Sequence, residues 1–283
     1  MTRSEKDERI LCWLSEYLNV CPDAISPDMM RGMENTGYDL PKRYALLVGA
    51  VLGLEGADMR RLLDEAGRLF IPCRAETFNS DPYLKTCVFD DEKTGSCELK
   101  RCAYAPFEAF PCGEMTCWSD GAVLPRIGWF EESFSYPALY SGGRMYMSVT
   151  PNEILTISPA AKEASGHVLA LGLGMAYFVF MAQQNPLVDD IAVVEYSKDV
   201  IRLYEKCIKQ WLPKPEKVNI IYGDAFKKAP ELYRSGRYDF VFADLWHDAA
   251  DGPEMYLKLK NMEHLASKAV FRYWIEDTLK YYI

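Results

Sequence analysis

Residues 167–180 read HVLALGLGMAYFVF. An apolar strand over 168–171 runs directly into Gly172, Leu173 and Gly174, and an apolar helix is predicted over 175–184. Glycine lets a backbone turn sharply and come close to a ligand because no Cβ stands in the way. The amides that open the next helix then face that ligand. The downstream strands give the stretch its weight. A second buried strand over 191–195 ends on Glu195, and a third over 218–222 leads into Gly223, Asp224 and Ala225. A fourth over 238–244 ends on Asp244. A carboxylate at the end of the second strand can accept two hydrogen bonds from a ribose diol. Glycines and acids thus gather at the C-terminal ends of successive strands, the edge at which open parallel sheets bind ligands.

Residues 168–274 carry these motifs in an order that resembles the Rossmann-like (class I) S-adenosylmethionine-dependent methyltransferase superfamily, with its spermidine synthase-like branch. The resemblance implies an α/β fold: a parallel sheet with helices on both faces, preceded by an N-terminal helical and β-hairpin region. It implies that Gly172 and Gly174 approach the methionine part of S-adenosylmethionine and that Glu195 binds the ribose hydroxyls. Asp224 would accept from the adenine amino group beside the Ala225 backbone, and Asp244 would face the reacting centre. Leu171 and Tyr196 complete the implied cofactor-binding set. Asp224 also suits the N-cap of a helix starting near Ala225, and the two roles are compatible. A nicotinamide dehydrogenase usually carries a third glycine, where this chain has Tyr177.

After Asp244 the chain continues Leu245, Trp246, His247 and Asp248. Spermidine synthases carry a second acid three residues after the strand-end acid, followed by proline. Here that place holds His247, Asp248 comes next, and there is no proline, which argues against aminopropyl transfer. Methyl transfer asks mainly that the acceptor be held in line with an activated methyl group. An amine or hydroxyl acceptor must also lose a proton, and Asp244 and His247 are the candidate bases. Trp246 is placed to stack on an acceptor or to pack against the sheet edge. The expected activity is methyl transfer to a small-molecule acceptor. The alternatives are a spermidine synthase-like aminopropyltransferase and a non-catalytic nucleotide-binding module.

A net charge of −9 without any concentrated run of Lys and Arg disfavours nucleic acid as a partner. It suits a small molecule, a cationic substrate or a protein. No apolar run approaches the ~20 residues needed to span a bilayer, so no membrane partner is expected. The charged N-terminus has no signal-peptide core, and a cytoplasmic location is expected.

Residues 1–70 read as a helical region, with amphipathic stretches over 42–54, opened by Pro41, and over 57–70. Residues 71–158 are Cys-rich and read as β-hairpins and loops, with strands predicted over 144–150 and 153–158 about a turn at 151–152. Residues 159–283 read as the S-adenosylmethionine-binding domain: a short helix over 159–165, then alternating strands and helices with a fifth strand over 269–274. The family usually adds two more strands at that sheet edge. Without them the edge needs a cover, for which a homodimer is a candidate.

Of the nine cysteines, Cys97 with Cys102 and Cys112 with Cys117 form C-x4-C pairs, which leaves open whether they bind a metal. Buried or free thiols are the simpler reading, since disulfides are disfavoured in a reducing cytosol. Cys12, Cys21 and Cys207 are expected as core fillers on helices.

Overall fold

The structure is a computed structural model that describes residues 3–88, 91–118 and 120–283, with side chains from residue 8 onward. Met1, Thr2, Phe89, Asp90 and Ser119, which belong to the charged terminus and the Cys-rich stretch, lie outside the described residues. By contact the chain groups into two units, one of residues 1–79 and 103–135 and one of residues 80–102 and 136–283. The Cys-rich stretch therefore contributes to both.

The chain opens with helices α1 (Arg3–Val20), α2 (Pro27–Gly32), α3 (Leu40–Val51), α4 (Gly56–Asp64) and α5 (Ala66–Leu69). Strand β1 (Phe70–Cys73) and helices α6 (Ala75–Asn79) and α7 (Pro82–Thr86) follow. Short strands come next: β2 (Glu92–Thr94), β3 (Cys97–Tyr104), β4 (Phe110–Pro111), β5 (Thr116–Cys117), β6 (Val123–Leu124) and β7 (Ile127–Phe130). Strands β8 (Phe134–Ser141) and β9 (Arg144–Ser148) lead to helix α8 (Pro151–Glu163). The remainder alternates: β10 (Gly166–Leu171), α9 (Tyr177–Ala182), β11 (Val188–Glu195), α10 (Lys198–Leu203), β12 (Val218–Tyr222), α11 (Ala225–Arg234), β13 (Phe240–Ala243), α12 (Gly252–Lys260), β14 (Val270–Tyr273) and α13 (Glu276–Tyr281).

Several helix starts share one local device, an oxygen-bearing cap followed by proline. Ser26 caps α2 ahead of Pro27, Asp39 caps α3 with Pro41 in the first turn, Asp81 caps α7 ahead of Pro82, and Thr150 caps α8 ahead of Pro151. The cap satisfies an orphan N–H, and proline's missing donor costs nothing in the first turn.

In the first unit, α1 buries Ile10, Trp13, Leu14 and Tyr17 on one stripe. Tyr44 of α3 stacks on Trp129 with ring centroids 4.0 Å apart. Strand β1 pairs parallel to β7, and β4 pairs antiparallel to the other side of β7. Two expectations fail here. Residues 71–86 include the short helices α6 and α7 and a strand with a distant partner, not only local hairpins. Cys12 is exposed rather than a core filler, because it falls off the buried stripe of α1.

The second unit holds a five-stranded sheet of order β12-β11-β10-β13-β14. Every pairing in it is parallel. Strands β10, β11 and β13 are buried at consecutive positions, so both faces of the sheet are covered. The order runs outward from β10 in one direction and then restarts on its other side with β13. A four-stranded sheet, β2-β3-β8-β9, accompanies it. Among the described residues no helix is long and apolar enough to cross a membrane.

The predicted strand over 153–158 is overturned: those residues lie in α8, which also takes in 159–163 of the helix predicted over 159–165. Thr150 accepts from the Glu153 N–H, and Ile154, Ile157, Ala160 and Ala161 are buried at helical spacing. The β-branched run had suggested a strand. The helix predicted from 175 starts at Tyr177, because Ala176 is still left-handed at φ 57°.

Asp81 ties this unit together. It is buried, its Oδ1 accepts from Tyr83 N–H at 2.9 Å and Leu84 N–H at 3.3 Å, and its Oδ2 accepts from the Tyr177 hydroxyl at 2.9 Å. Asp81→Ala removes a cap and one of the two partners of the Tyr177 hydroxyl, which keeps Ser158 Oγ at 3.0 Å, so a loss of about 1–2 kcal/mol is expected in urea unfolding. A loss below about 0.5 kcal/mol would contradict that role.

Candidate functional site

The sheet's hydrogen-bond ladder continues one residue beyond the strand ends. Gly172 donates to the Val194 carbonyl, Gly223 to Glu195, Asp244 to Leu171 and Trp274 to Ala243, each at 2.9 Å. This fixes Gly172, Glu195, Gly223, Asp244 and Trp274 along one edge, where the strand order reverses between β10 and β13.

That edge opens into a cavity of about 550 Å³, within the size range of small-molecule sites. Gly172, Gly174, Glu195, Tyr196, Asp224, Ala225, Asp244 and His247 all line it. Leu171 does not; it is fully buried in β10. Among the described residues no Lys or Arg lines the cavity.

Glu195 is 4% exposed. One of its oxygens accepts from Leu173 N–H at 3.1 Å and the other from Ser197 N–H at 2.6 Å. It thus pins the glycine loop to the end of β11. Burial holds its carboxyl above the ordinary range despite these donors. Asp224 caps α11, its Oδ1 accepting from Phe226 N–H at 2.9 Å and Lys227 N–H at 3.4 Å.

Asp244 is recessed in the cavity wall, and desolvation pushes its carboxyl from 3.8 up to about 7. Glu153, on the first turn of α8, faces the same cavity. Burial raises its carboxyl well above the usual range, and the negative charge of Asp244 raises it further. Asp244 therefore ionises first and Glu153 keeps its proton longer. His247 is exposed; its Nδ1 lies 3.1 Å from Asp251 Oδ2, and its N–H donates to Asp251 Oδ1 at 3.0 Å. Trp246 is buried and also lines the cavity.

Sequence reasoning missed Glu153, Met147 and Trp274. Glu153 was hidden by the mistaken strand, although Thr150-Pro151-Asn152-Glu153 has the spacing of a capping box. Met147 reaches over the glycine loop, where its Sδ accepts from Met175 N–H at 3.2 Å. No short-range pattern announces such a contact.

No protein-family model matches this chain, and a search of the curated proteins finds no match to it.

Proposed function

We propose that this protein is an S-adenosylmethionine-dependent methyltransferase built on a Rossmann-like sheet and acting on a small-molecule acceptor. The observation that carries this reading is the convergence of glycines and acids from four strand ends on one cavity that has no Lys or Arg in its described lining. Such a wall, with the carboxyl groups of Glu153, Glu195 and Asp244 beside Tyr177, Phe178 and Trp246, suits a ligand with a cationic reactive centre. It suits a dinucleotide's phosphates poorly.

On this reading Glu195 takes the ribose hydroxyls, while Asp224 and the Ala225 backbone take the adenine edge with Tyr196 beside them. Gly172 and Gly174 leave the loop backbone open to the rest of the cofactor, which when bound supplies an activated methyl group. The chain's own contribution is positional: the walls hold the acceptor and exclude water. Asp244 accepts the acceptor's proton, since a base that titrates near neutrality is well matched to that task. A second reading, aminopropyl transfer, is favoured by one observation: the described lining offers no Lys or Arg to pair with a cofactor carboxylate.

Calorimetric titration with S-adenosylmethionine, its decarboxylated form and NAD separates these readings. Saturable 1:1 binding of the carboxylated cofactor is expected. Preference for the decarboxylated form would move the assignment to aminopropyl transfer, and binding of neither would overturn both.

A further inference from the structure

The first unit holds a pair of thiols that the proposed reaction does not use. Cys73, at the end of β1, is half-buried, and Cys112, directly after β4, is buried. Their Sγ atoms stand 3.8 Å apart. They meet across β7, because β1 and β4 flank that strand and Gly128 within it has no side chain. A Cβ on Gly128 would lie 2.9 Å from Cys73 Sγ. The Cys112 N–H donates to the Arg126 carbonyl at 2.9 Å, which extends the β4 ladder and fixes its position.

Arg126 is the charge at this place. Its positive charge acts electrostatically on both sulfurs. Its Nε is buried without a hydrogen-bond partner among the described residues. Arg126 is half-buried, and this one unpartnered nitrogen is a donor free to face an anion.

We propose that Cys73 and Cys112 form a two-thiolate site for a soft monovalent cation, Cu(I), with Arg126 balancing its charge. Geometry separates this from a disulfide. Strands on either side of a third stand about 9–10 Å apart, beyond the roughly 7 Å between Cα atoms that a disulfide spans without backbone movement. A thiolate–metal bond of about 2.3 Å puts two sulfurs about 4.6 Å apart across one ion. The present 3.8 Å reaches that by a small outward rotation of side chains. Zinc asks for four ligands, and among the described residues no group of three or more His, Cys, Asp or Glu could hold a metal. Thiolates select Cu(I) by softness. On binding, both thiols release their protons to solvent and each sulfur donates a lone pair. No electron is transferred, and the resulting single negative charge faces Arg126.

The test is titration of the reduced full-length protein under nitrogen with Cu(I) held by the competing chelator bicinchoninate. The wild type is expected to take up one equivalent that Cys73→Ser and Cys112→Ser each lose and that a Cys97→Ser/Cys102→Ser variant keeps. Arg126→Met should weaken uptake about tenfold. X-ray absorption on the loaded wild type should show two sulfur neighbours, which decides the matter even if a serine variant fails to fold. Uptake unchanged in both single serine variants, a copper shell without two sulfurs, or a Cys73–Cys112 disulfide found by peptide mapping after copper addition would each overturn the proposal.

Discussion

Gly172→Ala is expected to cost about 3–5 kcal/mol, a large share of the roughly 5–15 kcal/mol that holds a typical domain folded. Gly172 has φ +100°, and a Cβ there would lie 2.2 Å from the carbonyl oxygen of Asp244. That oxygen is backbone, and Leu171 pairs with Ala243 directly before it. The two strands cannot part without breaking the Asp244 N–H bond to Leu171. Gly174 provides the contrast. Its Cβ would meet Met147 Sδ at 1.9 Å, the far end of a flexible side chain. In a Met147→Ala background, Gly174→Ala should therefore add only the cost of φ +49°, about 1–2 kcal/mol relative to Met147→Ala alone. Urea unfolding of the variants measures both, and Gly172→Ala within about 1 kcal/mol of wild type would refute the packing argument. The glycine motif consequently has two causes. Gly172 is demanded by the fold itself, while Gly174 makes room for a side chain that can move.

The five-stranded sheet was legible because strands covered on both faces read as continuous apolar runs, and each of these ended in glycine or an acid. Parallel strands also need crossovers, so the alternation with helices left few topologies. Asp224, Glu195 and Asp244 were legible for the same reason, since strand-end position alone puts them on one edge. Leu171 stays out of the cavity lining because the residue before the turn is still inside the sheet. Residues 71–135 were not legible. Strand β1 finds its partner in β7, far along the chain, and short strands such as β4 and β5 carry no period of their own. Helix α8 shows a different failure: Ile154, Leu155 and Ile157 read as a strand, while the decisive signal was the cap at Thr150. Glu153 went unseen with it, although the capping-box spacing from Thr150 pointed to a helix start there.

Asp244→Asn is expected to change two measurable quantities in opposite senses. Folded Asp244 holds its proton up to about 7, whereas an unperturbed Asp releases it near 3.8. Between those values the folded state binds more protons than the unfolded one, so stability from this group falls as pH rises and levels off above about 7. Asparagine cannot ionise. The variant should lack that slope and be more stable than wild type at pH 8 by on the order of 2 kcal/mol. Glu153, Glu195, Asp224, His247, Tyr146 and Tyr177 also line the cavity, so the comparison is made as the difference between variant and wild type across pH 4–9; Glu153, which the Asp244 charge raises, loses that part of its shift in the variant, and the slope read is that of the pair. Under the proposed reaction, turnover should meanwhile fall about 10²–10⁴-fold with cofactor binding preserved, because only the proton acceptor is lost. Wild-type rate should rise with pH through about 7, the value at which Asp244 becomes able to accept. An unchanged pH slope of stability would remove the recessed carboxyl as its source, and unchanged turnover would pass the role of base to His247. If both effects are seen, the charge that lowers stability above neutrality is the same charge that makes the site competent, which is the reason to recess an acid at this strand end.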